Sequence, residues 1–194
     1  VTRLCVFCGS STGARAEYAA VTRMLGAELV RRGLGLVYGG GSVGLMGVLA
    51  DSVLAGGGEV IGVLPEGLDR RELAHAGLTK MHVVGSMHER KALMASLVDG
   101  FVALPGGLGT LEEMLEVLTW SQLGIHRKPV ALLNVAGYYD PLLKMLAHAV
   151  REGFVRREYL ALLLFAETPA QLLDAIAGWT PPAVARAWLT PGQT

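Results

Sequence analysis

The chain has 194 residues, 52% of them hydrophobic and 18% charged, and its 17 basic and 17 acidic side chains cancel. That length suits one domain with a full hydrophobic core. The balanced charge argues against a nucleic-acid or anionic-membrane partner, and no apolar run approaches the roughly 20 residues of a membrane-spanning helix.

No basic-then-apolar leader is visible at Val1 to Ser10, so a cytoplasmic protein is expected. Arg3 to Cys8 reads as a first buried strand. It contains a C-x-x-C, Cys5 and Cys8, whose side chains on a strand must point to opposite faces and cannot share a metal. Buried strand cysteines are the better reading. Gly9-Ser10-Ser11-Thr12-Gly13 follows, a small-residue loop able to approach a ligand, although such loops also simply join strand to helix. A helix is predicted from about Ala14 to Arg32.

Leu34 to Tyr38 is the second strand, and a second glycine loop, Gly39 to Gly47, leads into a helix ending near Ala55. Gly39-x-Gly41-x-x-Gly44 fits the dinucleotide fingerprint literally. An NAD-dependent oxidoreductase needs a separate substrate domain, for which no room is left, and Glu66 is a poor acidic partner. A phosphate or ribose loop through Gly40, Gly41 and Ser42 fits better, with a purely structural turn as the alternative. Val60 to Leu64 and Lys80 to Val84 are further strands. The charged loop between them, with Glu66, Asp69, Arg70, Arg71 and Glu72, reads as solvated surface.

Ser86 and Glu89 form a capping box that opens the next helix. Arg90 and Lys91 then fall near the helix start, where cations oppose the dipole and an anionic ligand would offset the cost. The strand Gly100 to Leu104 runs into Pro105-Gly106-Gly107-Leu108-Gly109-Thr110-Leu111-Glu112-Glu113. A helix is expected from Met114 to Leu123, with Met114, Leu115 and Leu118 on its apolar side. Strand, glycine turn and helix start aim backbone N–H groups and the positive dipole end at one point, a ready phosphate site. Thr110-x-x-Glu113 is equally a capping box. The two readings are compatible.

Strands at Pro129 to Leu133 and Leu162 to Ala166 alternate with helices at Tyr139 to Glu152 and Thr168 to Gly178. The tail from Pro181 reads as irregular, which leaves residues 1–180 as a single domain and 181–194 outside it. The five histidines lack metal-ligand spacing, and no metal is assigned. The alternation predicts an α/β fold, a doubly wound, mostly parallel sheet with helices on both faces. The loops at Gly9, Gly39 and Pro105 and the helix carrying Arg90 all follow strands, so they converge at one sheet edge. A phosphate-bearing, nucleotide-sized ligand is the expectation.

Three segments, Gly39-Gly40-Gly41-Ser42-x-Gly44-Leu45-Met46-Gly47, Arg90-Lys91-x-x-Met94 and Pro105-Gly106-Gly107-x-Gly109-Thr110-x-x-Glu113, together resemble the Lonely Guy (LOG) family. Phe7 to Ser11 and Thr119 to Val130 are similar too, and the likeness covers roughly residues 3 to 178. The resemblance implies a Rossmann-like homodimer. It would hydrolyse the N-glycosidic bond of an adenosine 5′-monophosphate, plain or N6-prenylated, to free base and ribose 5-phosphate, without a cofactor. It further implies Arg90 and Glu113 as the catalytic pair. Lys91, Gly107, Leu108, Gly109, Thr110, Leu111, Glu112, Glu113 and Thr119 would line the nucleotide site, with Glu72 contributed by the charged loop. Some members carry an older label as lysine decarboxylases, but no lysine here has a cofactor-binding context. The rival reading is a non-catalytic carrier of a nucleotide or a molybdopterin-type cofactor on the same fold.

Overall fold

The structure, a computed structural model, describes residues 1–67 and 74–182. Strands β1 (Arg3–Phe7), β2 (Gly35–Tyr38), β3 (Val60–Pro65), β4 (Lys80–Val84), β5 (Gly100–Ala103), β6 (Val130–Leu133) and β7 (Leu163–Ala166) form one sheet. Every pairing is parallel and the order is β4-β3-β2-β1-β5-β6-β7. The chain winds outward from β1 to β4 and then restarts beside β1 with β5. The crevice at this reversal lies between the carboxyl ends of β1 and β5. There the Gly9 N–H donates to the Pro105 carbonyl at 3.1 Å, which joins the two predicted loops directly.

The inner strands are short apolar runs because both of their faces are covered. Leu4, Val6 and Cys8 face a core built with α1 (Ala16–Arg31), α2 (Gly44–Ala55) and α6 (Pro169–Ala177). Cys5 and Phe7 face the opposite core, built with α3 (Met87–Ser96), α4 (Leu108–Leu123) and α5 (Asp140–Arg151). The cysteines thus point to opposite faces, both buried and both free, as strand periodicity required. Burial pushes both thiols well up from their ordinary value, so neither is a reactive thiolate.

Helix starts follow local chemistry. Ser86 Oγ accepts from Glu89 N–H at 3.1 Å, while Glu89 reaches back one residue further than expected, to Gly85 N–H at 2.8 Å. Thr168 caps α6 and Pro169 occupies its first turn, where a missing N–H costs nothing.

The largest departure from expectation is α4. It begins at Leu108, six positions before Met114, with Gly107 as its extended N-cap. Thr110 is therefore not a cap: it lies inside the first turn, 4% exposed. Its hydroxyl fills the space above Gly106, where a Cβ would fall 2.1 Å from Oγ1. Glu113 is correspondingly freed from capping. Met114 is buried and Leu118 packs against the core as expected, whereas Leu115 is 38% exposed and Val117 takes the buried face beside Met114. Pro181 and Pro182 carry no regular structure, and residues 183–194 of the expected tail lie outside the described residues.

The start of α2 is packed as tightly as a core. A Cβ on Gly47 would lie 2.1 Å from the Ser42 carbonyl oxygen, a backbone atom that cannot swing away. Gly47→Ala should destabilise the protein by about 2 kcal/mol through overpacking. For a chain of this size that is a fall in Tm of roughly 4–8 °C, readable by calorimetry.

Candidate active site

Four segments meet above the carboxyl ends of the strands. They are the loop after β1, the loop after β2, the first turns of α3 and the start of α4. A cavity of about 230 Å³ lies between the first and last of them, lined by Gly9 to Gly13, Pro105 to Gly107, Tyr18, Leu45 and Tyr138.

The α4 loop holds two kinds of glycine. Gly106 is crowded by Thr110 and by Gly9 N. Gly107 and Gly109 have nothing within 4 Å of where a Cβ would stand. Their outward side is open, next to the unsatisfied N–H groups of a helix start. Leu108 between them is 86% exposed. An open helix start of this kind is suited to an anion.

The loop after β2 uses its glycines differently. Gly39, Gly40 and Gly41 are buried, whereas Ser42 is exposed. The Tyr38 hydroxyl donates to the Gly41 carbonyl at 3.0 Å, and Gly41 forms a bridge with Ala74. A Cβ on Gly39 would fall 2.2 Å from Arg90 Nη2. Gly39 is thus the opening through which the Arg90 guanidinium crosses the sheet edge. The glycines of this apparent dinucleotide fingerprint are occupied largely by the protein's own packing.

Arg90 is the best-held side chain in the site. Its Nε donates to the Val63 carbonyl at 2.9 Å and its Nη1 to Glu113 Oε1 at 2.9 Å. Arginine and glutamate side chains are each 12% exposed. Burial pushes the Glu113 carboxyl above its ordinary 4.5, and the Arg90 charge only partly opposes this. Lys91, one residue on, turns to a different flank of α4 and pairs with Glu112 at 2.7 Å and Glu116 at 3.0 Å. Burial lowers the affinity of its ammonium for the proton, but the two carboxylates outweigh that and raise it overall. A phosphate reaching Lys91 would compete with both. The Thr119 hydroxyl is exposed and donates to the Leu115 carbonyl of its own helix at 2.7 Å. Leu111 packs into the core from the first turn of α4.

Ser10 is exposed beside the cavity and Gly9 is buried beneath it. Glu72 lies outside the described residues, as do Asp69, Arg70 and Arg71. A larger cavity of about 590 Å³ opens on the far flank of α3 and α4, against Lys91, Phe101, Glu116 and Trp120. Neither Arg90 nor Glu113 lines it, so the convergent loops, not cavity size, define the site. Among the described residues no group of His, Cys, Asp and Glu could hold a metal.

Sequence reasoning overlooked Gly39 as the passage for Arg90, the Val63 carbonyl as its anchor, and Tyr138 at the rim of the cavity. The last was findable. It follows β6, a parallel strand, and so had to lie at the same sheet edge.

A parallel, doubly wound sheet with an open helix start and a buried arginine–carboxylate pair at its switch point defines a Rossmann-like α/β protein with a candidate site at that edge. The family model described as possible lysine decarboxylase matches residues 46–176. A probable cytokinin riboside 5′-monophosphate phosphoribohydrolase of Oryza sativa subsp. japonica, LOGL5, is 54% identical over 180 residues, covering 93% of this chain and 73% of that protein. The cytokinin riboside 5′-monophosphate phosphoribohydrolase LOG from the same plant is 50% identical over 179 residues, 92% of this chain and 74% of that one. Among solved structures, the molybdenum cofactor binding protein from Rippkaea orientalis superposes with a TM-score of 0.68 at 23% identity, covering 91% of this chain and 95% of that one. That likeness is one of fold. The chain belongs to the Lonely Guy family.

The raised Glu113 pKa has a consequence for stability. A carboxyl that holds its proton more tightly when folded loses stability on ionising. The cost is absent below the unfolded value near 4.5 and complete above the folded one. Glu113→Gln removes it. The Tm of the variant relative to the parent should therefore rise as pH is taken from 4 to 8. A difference that stays flat or falls over that range would contradict the burial argument.

Proposed function

We propose that the protein hydrolyses the N-glycosidic bond of adenosine 5′-monophosphates, plain or N6-modified, to the free base and ribose 5-phosphate. The observation that carries this is the Arg90–Glu113 pair, buried at 2.9 Å beside an open helix start. The relatives named for this reaction are about half identical to the chain and support the same reading. The phosphate sits at the N–H groups of Gly107, Leu108 and Gly109, with Ser10, Gly9 and the β2 loop at its flank. Thr110, Leu111, Glu112 and Thr119 shape α4 around it.

Fixing the phosphate places the ribose against Glu113 and makes attack effectively intramolecular. The bond between C1′ and the base nitrogen breaks through an oxocarbenium-like state, whose positive charge the Glu113 carboxylate stabilises. A water oxygen bonds to C1′ and gives one proton to Glu113, which passes it to the departing base nitrogen, directly or through solvent, and returns to its carboxylate form. Arg90 favours the ionised form of Glu113 and orients its carboxylate. Lys91 contributes positive charge nearby, and Glu72 completes the site. No cofactor enters this scheme. We also read the protein as a cytoplasmic homodimer, in keeping with the family. Sedimentation at micromolar concentration should give twice the chain mass.

The deciding assay is base release from AMP and from isopentenyl-AMP, with the two nucleosides as controls. Free base from the monophosphates alone is the expected result. Tight binding with no release from any of them would favour a carrier. Glu113→Gln and Arg90→Ala should each lower kcat by at least about 10²-fold, in line with the loss of a positioned acid–base group. Gly39→Ala touches no substrate, yet it should lower kcat comparably by displacing Arg90. Near-parental turnover in Gly39→Ala would show that Arg90 need not occupy its crossing. The acid limb of the kcat profile should lie above the ordinary carboxylate value of 4.5, because burial raises Glu113.

A further inference from the structure

Four successive carbonyls at the start of α4 are tied down, each by a different donor. The Tyr139 hydroxyl donates to Leu104 O at 2.6 Å, and Gly9 N–H to Pro105 O at 3.1 Å. The Tyr138 hydroxyl donates to Gly106 O, and Leu111 N–H closes on Gly107 O at 3.1 Å as the first helical bond. A peptide unit is planar and trans, so fixing a carbonyl fixes the next N–H on the opposite side. Pinning Gly106 O therefore sets the direction of the Gly107 N–H, at a residue that lines the 230 Å³ cavity and has open space where a Cβ would stand.

Both tyrosines come from one turn, residues 134–139, between β6 and α5. That turn is built at some conformational expense. Ala136 has φ +53° and Gly137 φ +72°, so a residue with a side chain is held in the left-handed region. Asn134, 7% exposed, secures it. Its Oδ1 accepts from Tyr139 N–H at 2.7 Å and its Nδ2 donates to Asp140 Oδ1 at 2.8 Å. Tyr138 then stands edge-on to Tyr18 and to Tyr139, with ring centroids 5.8 and 5.0 Å away, and lines the 230 Å³ cavity. Tyr139 is 1% exposed and belongs to the core, whereas Tyr138, 36% exposed, stands at the rim of the cavity. Its hydroxyl is placed for the loop rather than for packing.

We infer that Tyr138 is a positioning residue for phosphate affinity: by holding the Gly106 carbonyl away from the site, it presents the Gly107 N–H to the 5′-phosphate. Tyr139 supports the same loop one peptide earlier, from within the core. This rests on the reading of the site as a monophosphate site and adds a group that does not touch the substrate. It acts on the phosphate and not on the glycosidic bond, so it should divide binding from chemistry.

The test is Tyr138→Phe, which keeps the ring and its edge contacts. Loss of one hydrogen bond predicts a roughly fivefold to tenfold rise in KM for AMP. The variant should keep kcat within about twofold and Tm within a few degrees of the parent. Titration calorimetry with ribose 5-phosphate should show the same loss of affinity, and adenine affinity should be unchanged. Unaltered KM and unaltered ribose 5-phosphate affinity would overturn the inference, as would a fall in kcat alone. Calorimetry separates this from the assigned reaction. A parent that releases no base while Tyr138→Phe still weakens ribose 5-phosphate binding would remove the hydrolase and keep the tyrosine. A parent that turns over AMP with an indifferent variant would do the reverse.

Discussion

The interaction on which the site depends is the contact of Arg90 with Glu113 across the gap between α3 and α4. Neither side chain is held by its own helix. Arg90 is fixed by the Val63 carbonyl at the end of β3, and it reaches that carbonyl only because Gly39, at the end of β2, leaves room. Glu113 is fixed because α4 begins at Leu108 and so carries position 113 past its first turn, above β5. Strands distant in sequence are thus gathered onto one 2.9 Å contact. Such a pair is costly to bury, and removing either member strands the other. The raised Glu113 pKa is the sign of that cost.

Much of this was legible in the sequence because the signals were local. Apolar runs give the strands, and their alternation with helices along most of the chain gives a parallel sheet. A parallel sheet then forces every strand-following loop to one edge. Cys5 and Cys8 were correctly separated by strand periodicity alone. The start of α4 was misplaced because glycine and proline are read as breakers, whereas Leu108-Gly109-Thr110 enters a helix once the sheet supplies the geometry. Thr110 and Glu113 have the spacing of a capping box, but that spacing says nothing about which element lies alongside. Here Arg90 claims the glutamate, and the space above Gly106 claims the threonine.

The glycines of the β2 loop carry the same lesson. Gly39-x-Gly41-x-x-Gly44 is a pattern of permitted close approach, and a sequence cannot say what approaches. At Gly39 it is an arginine of the same chain, and at Gly44 it is the backbone of Ser10. At the start of α4, by contrast, Gly107 and Gly109 have open space where a Cβ would stand. The place of Tyr138 at this edge was legible, but its bond to the α4 loop was not, for a related reason. Its function is expressed through carbonyls thirty residues away in the chain, and no spacing rule connects Tyr138 to Gly106.

Arg90 and Lys91 are adjacent and alike in charge, yet a helix turns each residue about 100° from the last. The first grips α4 on the side of Glu113 and the second on the side of Glu112 and Glu116. Two grips on neighbouring flanks of a cylinder resist its rolling more than one does. An α-helix packed only by leucines and methionines can rotate slightly about its own axis at little cost. Rolling this one strains the ion pairs that tie it to α3. The heading of its N-terminal N–H groups is therefore referenced to α3, which makes the two basic residues a bearing for the helix as well as a source of charge.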